Sequence, residues 1–82
     1  MIELTDEIIL KIDDLLDDWA SLTIKLRLSV HQEKKIPKEY VNDDIFVEYY
    51  NGMKEGKTAH QMREICMPKY IRRELKQLKI IE

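Results

Sequence analysis

The sequence predicts an all-α protein: a long N-terminal helix followed by three short helices in tight succession. Three observations lead there. Only two Gly and two Pro occur in 82 residues, with 37% charged and 44% hydrophobic, a composition of helices rather than of a β-sandwich or a disordered chain. Ile8, Ile12, Leu15, Trp19, Leu22 and Leu26 recur in steps of four and three, a heptad seam. Helix-start chemistry then appears at Thr5, Asn42, Thr58 and Pro68.

The first helix opens at Thr5, a hydroxyl cap, with Asp6 and Glu7 where the helix dipole favours acids. Its far end is the hardest local reading. Leu22, Ile24, Leu26, Leu28 and Val30 alternate with polar residues as a strand would. The same stretch continues the heptad, and one strand without a partner cannot satisfy its backbone, so helix is favoured to His31. Such a helix is roughly 39 Å long, against a diameter of about 30 Å for a compact globule of this length. It must fold back or project and pair. The expectation is a homodimer interface through Leu15, Trp19, Leu22 and Leu26. Asp13, Asp14, Asp17 and Asp18 lie off the seam and face water.

Residues 32–42 are expected to form a hinge, because Pro37 pushes Ile36 out of helical geometry. Beyond it, residues 43–82 are expected to form a trihelical unit within a single domain spanning 1–82. Asn42 caps its first helix, Ile45, Phe46, Tyr49, Tyr50 and Met53 give that helix an apolar face, and Gly56 ends it in left-handed geometry. Thr58 and Gln61 form a capping box for a second short helix at about 59–66, and Pro68 takes the first position of the last, to about Ile80.

Charge gives the functional lead. Residues 1–50 carry a net −6 and residues 51–82 a net +4, within a total of −2. In the last helix Lys69, Arg72, Arg73 and Lys76 share one face, with Ile71, Leu75 and Leu78 expected on the other. A cationic helix face most naturally meets phosphate.

The three short helices, the last two joined by a tight turn at Cys66 and Met67 and the last one cationic, resemble a homeodomain-like helix-turn-helix over residues 43–80. The resemblance implies a last helix in the major groove, carrying Lys69, Tyr70, Arg72, Arg73 and Lys76, with Lys57 and Thr58 at phosphates. With nothing after Glu82, no β-hairpin wing is expected. It implies a small transcriptional regulator that binds double-stranded DNA as a dimer, of the kind phages and other mobile elements encode. The alternative is an inhibitor or adaptor that docks on a larger protein through its acidic helix and apolar seam.

Other chemistry is not signalled. H-E-x-x-H, C-x-x-C and Gly-rich phosphate loops are absent from the sequence, so no enzyme activity, metal or cofactor is expected. The single Cys66 fits a reducing cytoplasm, the acidic opening MIELTDEI argues against a signal peptide, and the apolar runs are too short to span a bilayer.

Overall fold

The computed structural model describes residues 5–80; the opening residues 1–4 and the last two, 81–82, lie outside them. Three α-helices, α1 (Asp6–His31), α2 (Asp44–Lys54) and α3 (Ala59–Gln77), and a short 3-10 turn at Lys38–Tyr40 make up the regular structure, with no strand among the described residues. The alternating stretch 22–30 is helix. There Thr23 turns inward and its hydroxyl donates to the Trp19 carbonyl at 2.8 Å, so this polar position needs no strand partner.

α1 begins where its cap predicts, the Thr5 hydroxyl accepting from the Ile8 amide at 3.3 Å. It neither folds back nor projects. The molecule is elongated, 42 × 23 × 18 Å, and the remaining elements pack along one side of α1. That corrects the expected dimer seam. Leu15, Trp19 and Leu26 are buried against α2 and α3 of the same chain, Leu26 with 0% exposure, and Leu22 packs partly buried against the same core. A small bundle can take the length of its longest helix, so the diameter of a compact globule sets no limit on α1 here.

α2 runs beside α1 in the same direction and α3 returns antiparallel. Phe46 stacks on Trp19 with ring centroids 5.6 Å apart, and Tyr49 and Tyr70 meet the same indole at 5.5 and 5.6 Å. Tyr40 joins through Phe46, so five aromatic side chains centre the core. Connector 32–43 is fastened at several points. Tyr40 donates its hydroxyl to the Leu22 carbonyl at 3.0 Å, Tyr50 donates to the Lys34 carbonyl, and Lys25 pairs with Glu39.

Every helix ends on a left-handed residue. Gly56 (φ 101°) was legible, while Glu33 (φ 57°) and Lys79 (φ 60°) do the same without glycine. The amides of Lys34, Lys57 and Ile80 close these ends on the carbonyls of Ser29, Gly52 and Leu75. The cap of α2 is Asp43 rather than Asn42, its carboxylate accepting from the Ile45 and Phe46 amides.

The break expected at residues 66–68 is absent. α3 runs unbroken from Ala59 to Gln77 with Pro68 inside it, so the described residues form three α-helices where four were expected. Pro68 removes one helix hydrogen bond, yet Met62, Cys66 and Tyr70 follow at four-residue steps across it, all buried on one face. That packing holds the two halves in line. The inward face of the last turns differs accordingly: Leu75 is buried and Ile71 partly so, but Leu78 is exposed and Tyr70 takes the core position.

Candidate functional site

The residues assigned to DNA separate into two groups. Lys57 and Thr58 stand at the start of α3, where the Thr58 hydroxyl accepts from the Gln61 amide at 3.1 Å and the Gln61 side chain accepts from the Thr58 amide at 2.9 Å, completing the expected capping box. Lys69, Arg72 and Lys76 are exposed along the outer face of α3. Lys69 reaches Glu48 of α2 at 2.9 Å, an exposed pair that contributes little and opens readily.

Tyr70 and Arg73 are engaged inward. Tyr70 is 3% exposed within the aromatic cluster, where burial raises its phenol pKa above the usual range. Arg73 lies 2.8 Å from Asp43 and 3.4 Å from Glu74, with its guanidinium 5.5 Å from the Tyr70 ring centre. The bond to Asp43 holds its pKa above that of a free arginine. The stripe of four cations is therefore three outward and one structural.

A second cationic feature was not visible in the sequence. Beside the start of α3, a groove of about 430 Å³ lies between α1 and α3. Leu16, Ala20, Thr23 and Arg27 line it from α1, and Ala59, His60, Arg63 and Met67 from α3; Trp19 and Tyr49 also line it. Three of these side chains are basic and none is a carboxylate. At the rim His60 meets Glu64 at 3.0 Å. Arg63 turns its Nε toward the Met67 sulfur at 3.5 Å, and among the described residues neither Arg63 nor Arg27 has an acidic partner. The Tyr49 phenol stays protonated beyond its usual range because burial outweighs the opposing pull of Arg27.

This groove arises from spacing on two separate helices. Leu16, Ala20, Thr23 and Arg27 fall at three- and four-residue steps beside the core seam of α1, and Ala59, Arg63 and Met67 at four-residue steps on α3. Ala20 and Ala59 are small, so the helices face each other there without filling the space. The only sequence trace is an arginine flanking the seam on each helix.

Other chemistry finds little support in geometry. Cys66 is fully buried, and burial pushes its thiol up to about 11, far from the thiolate a nucleophile needs. Among the described residues no group of three or more His, Cys, Asp or Glu is placed to hold a metal ion, and no helix is long and apolar enough to cross a membrane. Comparison with family models, curated proteins and solved structures finds no match to this chain.

Proposed function

We propose that this chain is a small binding module, not a catalyst, whose α1–α3 groove receives an anionic side chain of a protein partner. The observation that carries this reading is the convergence of Arg27 and Arg63 on one concave site without a carboxylate. Two guanidiniums on separate helices, beside an aromatic floor, suit a planar carboxylate or a phosphate through charge-assisted bonds. At about 430 Å³ the space matches a small-ligand site and not a nucleic-acid duplex. This is the adaptor reading of the sequence with a different docking surface, since the apolar seam is buried.

A second reading, the DNA-binding regulator, is favoured by Lys69, Arg72 and Lys76, which present positive charge on successive turns of α3. Fluorescence anisotropy with a glutamate-rich peptide, a phosphopeptide and random duplex DNA, each at two salt concentrations, tests both. Under the groove reading Arg63→Glu abolishes peptide binding and Arg72→Glu leaves it intact. Duplex binding that is steeply salt-dependent, lost in Arg72→Glu and kept in Arg63→Glu, would establish the DNA reading instead. Absence of peptide binding at low salt ends the groove reading.

A further inference from the structure

The side of α1 that faces away from the bundle carries an ordered charge pattern. Asp13, Asp14 and Asp17 occupy its N-terminal half, and Arg27 and His31 its C-terminal end, all exposed. Between the two lie the small residues Ala20 and Ser21 and then Ile24, 48% exposed; Leu28, 52% exposed, stands within the basic end. Ile24, Arg27, Leu28 and His31 together border a shallow hollow of about 300 Å³. The face is thus acidic at one end, basic at the other and apolar beside its midpoint.

We propose that this outer face of α1 pairs with the same face of a second copy, antiparallel, about a two-fold axis between Ala20 and Ile24. Setting Ala20 opposite Ile24 of the second copy places Asp17 opposite its Arg27 and Asp13 opposite its His31. The two-fold repeats each contact, as an isologous interface requires. Ile24 then lies over Ala20 of the second copy, whose small side chain allows the close approach that helix pairs need, and Leu28 lies level with Leu16. A parallel pair would set the aspartates of one copy against those of the other, so the charge pattern selects direction as well as partner. The surface is distinct from the buried seam of Leu15, Trp19 and Leu26. One helix face gives an interface at the small end of specific contacts, so association falls in the micromolar range or weaker.

Sedimentation equilibrium from micromolar to millimolar protein, without added ligand, decides the matter. The mass is expected to rise from 9.9 kDa toward twice that value. Ile24→Lys is expected to remain a monomer with unchanged helical circular dichroism. Asp17→Arg and Arg27→Asp each set like charges together and are expected to be monomeric alone, but to form a dimer when mixed, because each supplies what the other lacks. A wild-type chain that stays monomeric throughout overturns the proposal. So does a dimer that survives Ile24→Lys, or a mixture no heavier than its components. Arg27 and Ala20 also line the α1–α3 groove, so a dimer and a bound anion compete for Arg27. Mass measured without ligand, and peptide binding measured at dilute protein, keep failure of one reading distinct from failure of the other.

Discussion

One oxygen of Asp43 joins two helices: Oδ1 accepts from the Ile45 and Phe46 amides at 3.1 and 3.4 Å, capping α2, and from Arg73 of α3 at 2.8 Å. The cap and the bridge therefore depend on the same atom. Asp43→Ala is expected to lose both and cost about 2–3 kcal/mol, while Asp43→Asn keeps a cap and costs about 1 kcal/mol. Arg73→Gln should match Asp43→Asn, and the double variant Asp43→Asn/Arg73→Gln should cost little more than either single change. Urea unfolding of the four proteins measures this; additive losses would show that the bridge contributes nothing. The same geometry makes Arg73→Glu a poor probe of DNA binding, because it places two carboxylates together and weakens the fold.

Gly52 of α2 lies directly against the Met62 side chain of α3. A Cβ there would stand 2.3 Å from the Met62 sulfur and 2.5 Å from its terminal methyl, and Met62 is itself fully buried. Gly52→Ala is therefore expected to destabilise by about 1–3 kcal/mol despite the better helix propensity of alanine. In a Met62→Ala background the obstruction is gone, and the same substitution should stabilise by roughly 0.5–1 kcal/mol. The reversal of sign, read from thermal or urea unfolding, is the test.

Pro68 interrupts the hydrogen-bond ladder of a helix that continues regardless. Pro68→Ala restores the bond to the Glu64 carbonyl and is expected to raise stability by about 1–3 kcal/mol. Backbone chemical shifts for residues 64–72 should stay helical in both proteins. A wild-type break at 66–68, closed by Pro68→Ala, would instead restore the turn that the helix-turn-helix resemblance requires.

Alkali should unfold the protein earlier than its charge balance alone implies. Burial raises the pKa of the Tyr40, Tyr49 and Tyr70 phenols and lifts the Cys66 thiol from 9.0 to about 11. The unfolded chain releases these protons first, so stability is full below the ordinary values and falls as pH rises through the folded ones. For Cys66 that window runs from 9.0 to about 11, and its share is roughly 2–3 kcal/mol. Urea midpoints measured from neutral pH upward should decline across it, and Cys66→Ala should flatten the decline.

Local chemistry was what the sequence disclosed best. The Thr5 cap, the Thr58–Gln61 box and the Gly56 terminus each depend on residues within one turn, and all three stand in the structure. The heptad of α1 revealed that a face is buried but not by what, and so the same residues read equally as a dimer seam or a core. Pro68 misled because a helix start and a tolerated interior proline look alike until Tyr70 and Cys66 are seen packed on either side of it. Arg27 and Arg63 come together only through the antiparallel return of α3, which no local pattern encodes.

Cys66, the only cysteine of the chain, has 0% exposure between α2 and α3. A thiol reagent can reach it only when those helices part, so its labelling rate under native conditions clocks that opening. With labelling slower than reclosure, the rate gives the equilibrium population of the opened state; with faster labelling, it gives the opening rate itself. The chain thus contains its own gauge of conformational breathing, readable by mass spectrometry without any introduced probe.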